Sequence, residues 1–213
     1  NTVNISGTSV FEYGVYGGKA GIAATSNTVN ISGASVFNDD VCGGDSPGAT
    51  IGNIVNISNG TFYNSNNVYG GRSMDGDAMG NIVNISGGTF NGNIYGGFSF
   101  FGGVTNNIVN IGGSANIENA GLYCSSAMNG TVNGNTLNIG INEALLEELD
   151  PADEDGKRKY GLQVGAWNKN KVGSIQDFDV INFANINWDT TTPVIEVDSL
   201  VLNGTKIKVG TVN

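Results

Sequence analysis

The chain has 213 residues, 34 of them glycine, and its formal net charge is −10. An acidic chain with 9 basic residues is poorly suited to binding the phosphate backbone of nucleic acid. Because the chain has no histidine, it has no histidine metal site and no Ser-His or Cys-His nucleophile pair. No apolar run approaches the ~20 residues that a membrane helix needs. The chain starts at Asn1 without a charged leader or an apolar signal core, so we expect a segment of a longer protein.

A repeat of about 26 residues runs through the first 140 positions. Its first block reads Asn-x-Val-Asn-Ile-Ser, with small variations in the later units, and starts at Asn1, Asn27, Asn53, Asn81, Asn107 and Asn135. Its second block reads Val-Tyr-Gly-Gly or a variant of it, and starts at Val15, Val41, Val68, Ile94 and Leu122. A repeat of this length is typical of stacked architectures.

Each unit carries strand signals separated by glycine-rich corners. In the first unit Val3 and Ile5 point to one face of a strand and Asn4 points to the other. About three short strands per unit are too few to form a domain, but they suffice for one coil of a solenoid that buries its apolar face against neighbouring coils. We therefore predict an all-β fold, a single-stranded parallel β-helix (β-solenoid) with about 26 residues per coil.

Stacking in register predicts columns of like residues, in which successive residues lie about 4.8 Å apart along the axis. The valines and isoleucines of the first block form internal columns. The asparagines equivalent to Asn4 form an outward column, and those equivalent to Asn1 form another near a corner. Stacked amides of this kind hydrogen-bond along the axis as asparagine ladders. The tyrosines of the second block form an aromatic stack that Cys42 interrupts.

The composition changes after Ile139. Residues 142–149 predict a short helix with Asn142 as its N-cap, followed by an exposed acidic loop that ends at position 159. Strand signals then resume without the 26-residue period, and residues 173–213 suit a role in covering the open edge of the last coil. We thus predict a repeat region over 1–140, a coil with the inserted helix over 141–172, and capping strands of the same domain over 173–213.

Several of these stretches together carry a family resemblance. Residues 81–90 read Asn-Ile-Val-Asn-Ile-Ser-Gly-Gly-Thr-Phe, residues 94–97 read Ile-Tyr-Gly-Gly, and residues 175–183 read Ile-Gln-Asp-Phe-Asp-Val-Ile-Asn-Phe. They resemble the passenger regions of bacterial autotransporter adhesins, the surface proteins of type V secretion. The resemblance covers nearly the whole chain except 142–159. It implies a right-handed parallel β-helix on the surface of a Gram-negative bacterium.

Right-handed β-helices also include polysaccharide lyases and hydrolases, so an enzyme is the alternative. Hydrolysis of a glycosidic bond needs two carboxylates ~5–10 Å apart, and a lyase needs a cation beside its uronate, for which Arg72 is the nearby candidate. The turns of the second and third units carry five carboxylates: Asp39, Asp40, Asp45, Asp75 and Asp77. Solvated turns explain these acids best, ahead of a calcium site, which oxygen-rich turns favour, and ahead of catalysis. We expect no catalytic, cofactor-binding or metal-binding residue.

Two further sequence features have a structural explanation. Four first blocks match the acceptor pattern for N-glycosylation, but the repeat itself generates these matches, at Asn4, Asn30, Asn56 and Asn84. Cys42 and Cys124 fall three coils apart, or ~14 Å along the axis, which is too far for a disulfide. We therefore predict two unpaired cysteines, one at a tyrosine position and one at a glycine position of the repeat.

Aromatic residues stand out at one corner and in the C-terminal third. Phe98, Phe100 and Phe101 replace polar residues of the other units, and we expect them to tuck under the predicted helix or, alternatively, to form an exposed contact patch. We interpret Trp167 and Trp188 as core or cap residues rather than platforms for a carbohydrate.

These features together favour a structural and adhesive role. We expect an extracellular segment on a bacterial cell surface, a rigid stalk that mediates attachment or self-association without catalysis. Its partners would be a host surface, a glycan, a matrix component or another copy, and not nucleic acid. The alternatives are a fragment of a carbohydrate-active enzyme and a passive spacer. Because the turns vary while the strands stay uniform, specificity is expected in turns 19–26, 45–52, 72–80 and 98–106.

Overall fold

The computed structural model describes residues 1–63, 66–124, 130–140, 147, 151–155, 171–183, 195–202 and 204–209. The described residues form 24 short strands in four sheets. Strands that pair are parallel and lie one coil apart, as in the pairing of β1 with β5 and of β5 with β9. This arrangement is a β-solenoid, and it confirms the predicted fold class.

Each of the four sheets runs along the solenoid axis. Sheet A contains β1 (Thr2–Ile5), β5 (Thr28–Ile31), β9 (Ile54–Ile57), β13 (Ile82–Ile85), β17 (Ile108–Ile111), β20 (Thr136–Ile139), β22 (Val180–Phe183) and β24 (Lys206–Val209). Sheet B contains β2 (Val10–Phe11), β6 (Val36–Phe37), β10 (Thr61–Phe62) and β14 (Thr89–Phe90). Sheet C contains β3 (Val15–Lys19), β7 (Val41–Ser46), β11 (Val68–Ser73), β15 (Ile94–Ser99), β18 (Gly121–Tyr123), β21 (Lys171–Gln176) and β23 (Glu196–Leu200). Sheet D contains β4 (Ala23–Thr25), β8 (Ala49–Ile51), β12 (Ala78–Met79), β16 (Val104–Thr105) and β19 (Val132–Asn133).

Sheet D corrects the prediction of three strands per coil. Its strands are two or three residues long and lie inside the segments that we predicted as variable turns. So short a stretch shows no alternation of apolar and polar residues, which is the pattern that identifies a strand from sequence. The strands form because the neighbouring coils supply hydrogen-bond partners, as in the pairing of Ala24 with Thr50.

The coils stack in register over most of the described chain. Successive asparagines of sheet A are 26 or 28 residues apart from Asn4 to Asn138. The next interval, from Asn138 to Asn182, is 44 residues, and Asn182 pairs with Lys208 at the original spacing. The longer interval contains the predicted insertion, and the return to the original spacing corrects the prediction that the C-terminal strands lack the period.

The interior is filled by columns of identical apolar side chains. Val29, Ile31 and their equivalents in the next coils are fully buried, as predicted. Beside them the phenylalanines of sheet B stack with nearly parallel rings. The ring centroid of Phe62 lies 4.7 Å from that of Phe37 and 4.5 Å from that of Phe90. Because each coil repeats the same shape at the same height, every side chain packs against its own kind.

The asparagines equivalent to Asn1 form a first ladder. The sequence predicts them as a column near a corner, and the structure corrects this by placing them inside the solenoid. Asn53, Asn81 and Asn107 are fully buried. The Oδ1 of Asn81 accepts hydrogen bonds from the backbone N of Asn53 at 3.0 Å and from its Nδ2 at 2.9 Å. The amide occupies the space opposite the glycine pair of sheet C, where a Cβ on Gly44 would collide with Asn53. Glycine is therefore required at this corner because the asparagine points inward.

A second ladder runs along sheet A on the opposite face of the strands from the valines and isoleucines. Each Nδ2 donates to the Oδ1 of the preceding coil, at 2.8 Å from Asn56 to Asn30 and at 2.7 Å from Asn84 to Asn56. The predicted outward ladder is confirmed, and Asn56 and Asn84 are nevertheless buried, because each amide lies between those of the neighbouring coils. Hydrogen bonds therefore run in opposite directions along the two ladders.

The C-terminal strands extend sheets A and C beyond the longer interval. Asp179 takes the place of the inner asparagine, and its Oδ2 accepts a hydrogen bond from the backbone N of Asn135 at 2.9 Å. A carboxylate has no N–H group of its own, so the inner ladder ends there without needing a further acceptor. The residues of β24 are exposed, and the capping role of 173–213 stays a prediction.

Other sequence predictions fall on parts of the chain that lie outside the described residues. The predicted helix at 142–149 does so except for Glu147. Trp167 and Trp188 do so as well.

Candidate functional site

Consecutive variable turns meet on one side of the solenoid and form a groove, which we call the loop groove. Its volume is about 380 Å³. Every lining residue lies in one of the four turns that the sequence marks as variable; those used below are Lys19, Asp45, Pro47, Arg72, Met74 and Phe100. The groove is built by four different coils, so it exists only when the coils stack in register.

Charged side chains from three coils form an ion cluster, and Lys19, Asp45 and Arg72 of this cluster are the polar wall of the groove. Arg72 Nη1 lies 2.7 Å from Asp40 Oδ2, and Arg72 Nε lies 2.9 Å from Asp45 Oδ1. Lys19 Nζ lies 3.5 Å from the other oxygen of Asp45. Although burial by itself lowers the pKa of Arg72, the hydrogen bond to Asp45 and the neighbouring carboxylates raise it above its usual range. The guanidinium therefore stays charged.

These contacts revise the interpretation of the turn acids. The side chains of Asp40 and Asp45 are only 19% and 15% exposed, so they are paired acids and not solvated ones. Asp75 and Asp77 are exposed, as the solvated-turn interpretation predicts. Asp77 additionally accepts a hydrogen bond from the backbone N of Gly103 at 2.7 Å.

The interruption of the tyrosine column accompanies this ion cluster. Cys42 occupies the tyrosine position, as predicted, and pairs in register with Tyr16 and Tyr69. A thiol is much smaller than a phenol, so it leaves room over the second coil where the side chain of Arg72 reaches back to Asp40 and Asp45. The guanidinium also lies 5.2 Å from the ring centroid of Tyr69, a cation–π distance.

Both cysteines are buried and unpaired, which confirms the prediction. Cys124 occupies a glycine position, and a Cβ on Gly96 would lie 2.7 Å from its Sγ. Burial raises the pKa of both thiols well above their ordinary value. Since the thiolate is the reactive form, neither cysteine is poised as a nucleophile.

Phe100 contributes an aromatic ring to the other wall and belongs to a larger aromatic cluster behind it. Phe98 packs edge-on against Tyr69 and Tyr95, with centroid distances of 5.6 and 5.4 Å, and is buried. Phe100 packs edge-on against Phe98 but stays 39% exposed, and Phe101 is 52% exposed. Phe98 thus belongs to the tyrosine stack, while Phe100 and Phe101 are exposed. The helix under which we expected these rings to tuck lies outside the described residues, so the choice between that arrangement and a contact patch stays a prediction.

A column of serines, which the sequence reasoning missed, holds the turns of the groove. Ser46 accepts a hydrogen bond from the backbone N of Gly48, and Ser99 accepts one from that of Gly102. Ser73 Oγ lies 2.6 Å from the carbonyl oxygens of both Gly48 and Gly76. The signal was present in the repeat, because these serines occupy one position in three consecutive units.

Comparisons of the chain with family models, with curated proteins and with solved structures found no match. The fold itself defines the class, a parallel β-solenoid with two asparagine ladders. In the part of the chain that the structure describes, no group of three or more acidic or cysteine side chains is placed to hold a metal ion. The described residues likewise include no helix of the length and apolarity that a membrane crossing requires.

Proposed function

We propose that this chain is a non-catalytic structural and adhesive segment of a bacterial surface protein, a rigid stalk that mediates attachment or self-association. The observation that carries this proposal is the axial register, since one ladder continues from Asn4 to Asn182. Side-chain hydrogen bonds along the axis add to the backbone pairings, so bending the rod would break several bonds at once. The resemblance to autotransporter passengers supports a location outside the cell on a Gram-negative bacterium.

The electrostatics of the loop groove favour this role over the carbohydrate-active alternative. A lyase needs an unpaired cation beside its uronate, whereas Arg72 is already engaged by Asp40 and Asp45. A hydrolase needs a pair of free carboxylates, and these two acids are held by the same guanidinium. The groove is therefore better suited to binding than to catalysis.

An attachment experiment tests the proposal. Beads coated with the chain are expected to bind to epithelial cells, to wells coated with matrix proteins or to beads that carry the same chain, above beads coated with an unrelated acidic protein. Failure on all three surfaces would contradict the adhesive role and leave the passive spacer and the enzyme as alternatives. Release of unsaturated or reducing sugars from a panel of polysaccharides would instead establish the enzyme.

A further inference from the structure

The loop groove has the size and lining of a small-ligand site. Its volume of about 380 Å³ lies within the range of roughly 300–1,000 Å³ that such sites occupy. Pro47, Met74 and Phe100 contribute apolar surface. Met74 is 49% exposed and Phe100 is 39% exposed, so both can contact a ligand without any rearrangement of the chain.

The ion cluster that supplies the polar wall is neutral as a whole, because Asp40 pairs with Arg72 although it does not line the groove itself. Lys19 and Arg72 carry two positive charges, and Asp40 and Asp45 carry two negative ones in direct contact with them. An anionic ligand would compete with the carboxylates for the guanidinium, and a cationic ligand would compete with the guanidinium for the carboxylates. Charge complementarity therefore favours an uncharged ligand.

Hydrogen-bonding capacity remains on both sides of this ion cluster. A guanidinium has five N–H donors and an ammonium has three, and in the contacts among described residues Arg72 uses two donors on Asp40 and Asp45. Each carboxylate oxygen retains a lone pair beyond the one used here. Donors and acceptors thus stand side by side, which is the arrangement that a hydroxyl group matches, since it donates one hydrogen bond and accepts others.

We infer that the loop groove binds a neutral sugar unit of a glycan. The vicinal hydroxyls face the wall formed by Arg72, Asp45 and Lys19, and the C–H face of the sugar ring packs on Phe100. This inference rests on the proposed adhesive function and names the class of ligand that the stalk recognises.

Titration of the ¹⁵N-labelled chain with methyl glycosides of glucose, galactose and mannose tests the inference. At least one of the three is expected to produce saturable shifts at the backbone amides of the four turns, with a Kd in roughly the millimolar range for a ligand of this size. Methyl glucuronoside and a lysine-rich peptide serve as the charged comparisons. Tighter binding of either charged probe, or no saturable shift with any neutral glycoside, would overturn the inference.

A matched pair of variants locates the site. Phe100→Ala is expected to weaken glycoside binding at least about tenfold, because it removes the aromatic wall. Phe101→Ala removes the neighbouring exposed ring, which does not line the groove, and is expected to leave binding unchanged. Circular dichroism of both variants verifies that the solenoid is intact. Equal effects of the two substitutions would contradict a site in the groove.

The bead experiment separates this inference from the proposed function. If the chain-coated beads attach but neither Phe100→Ala nor an excess of the bound glycoside reduces the attachment, the adhesive role stands and the sugar site is wrong. If the glycoside binds in the groove but the beads attach to nothing, the sugar site stands and the adhesive role falls.

Discussion

The strand columns and the loop groove are built from the same coils, but the residues are conserved from coil to coil in the columns and differ from coil to coil in the groove. In the central coils of sheets A and B, most positions carry the same or a similar residue in successive coils, and the inward side chains are buried against their equivalents. In the groove, one position carries Lys19, Asp45, Arg72 and Phe98 in successive coils. Identity along a column gives stability through stacking, while differences along a column give a surface that a ligand can distinguish. Substitutions should therefore cost most in the uniform columns and least at the groove.

The largest effect is expected at the centre of the phenylalanine stack. Phe62→Ala opens a gap between Phe37 and Phe90 and should lower the free energy of unfolding by about 3–5 kcal/mol. Urea denaturation followed by circular dichroism measures this change. Tyr63→Ala removes the next aromatic residue, which is 45% exposed, and should cost less than about 0.5 kcal/mol. Equal costs would contradict the placement of Phe62 in the packed interior of the solenoid.

The inner ladder comes next. Asn81→Ala leaves the backbone N and the Nδ2 of Asn53 without their acceptor inside the solenoid, which should cost about 2–3 kcal/mol in the same assay. Asn1→Ala provides the control, because Asn1 lies at the exposed end of the same column. A loss at Asn81 no greater than at Asn1 would mean that the buried amides find other partners.

The ion cluster of the groove should be less costly to break. Arg72→Met keeps the length of the side chain but leaves Asp40 without a cationic partner and Asp45 with only the longer contact to Lys19. We expect a cost of about 1–2 kcal/mol because the cluster is only partly buried. Lys19→Met breaks the longer contact to Asp45 from a side chain that is 65% exposed, and should cost less than about 0.5 kcal/mol. Thermal unfolding of both variants measures these costs. A larger loss of stability for Lys19→Met than for Arg72→Met would refute the assignment of Arg72 as the central partner.

The smallest effect is expected in sheet D, where the substitution should raise the free energy of unfolding instead of lowering it. Thr50 is fully buried, and its hydroxyl has no hydrogen-bond partner among the described residues. The equivalent residues in the adjoining coils are Ala24 and Ala78, so an apolar side chain is compatible with this column. Thr50→Val should stabilise the chain by about 1 kcal/mol.

A control for this last change is available on the neighbouring strand β4 of sheet D. Thr25 is exposed, so Thr25→Val should leave the unfolding midpoint nearly unchanged. A lower midpoint for Thr50→Val would indicate that its hydroxyl is satisfied by a bound water.

Much of the fold was predictable because a repeat carries its own register. The Asn-x-Val-Asn-Ile block identified sheet A, its two internal aliphatic columns and the presence of amide ladders. Counting coils between Cys42 and Cys124 was enough to predict that they stay unpaired. The last coils were harder to recognise, because the insertion before Lys171 hides the spacing that Asn182 and Lys208 restore.

The candidate site was predictable only in its location. Variation among the turns indicated which segments would meet, but the pairing of Arg72 with Asp40 joins residues 32 positions apart whose side chains reach across a coil. That geometry uses the space above the small side chain of Cys42, and the sequence does not show which side chain fills such a space. The serines that hold the turns were visible in the repeat, yet their role follows from carbonyl oxygens that only the folded turns bring near.

The sequence by itself determined the period, the identity of the stacked columns and the position of the variable turns, because each of these follows from like residues recurring at equal intervals. The tertiary structure alone decided that the asparagines of the first column point inward, since the second glycine of the pair opposite them lacks the Cβ that would collide with the amide. It also decided that four turns enclose a groove and that the charges of the ion cluster cancel. Both features depend on distances between coils and not on positions along one coil.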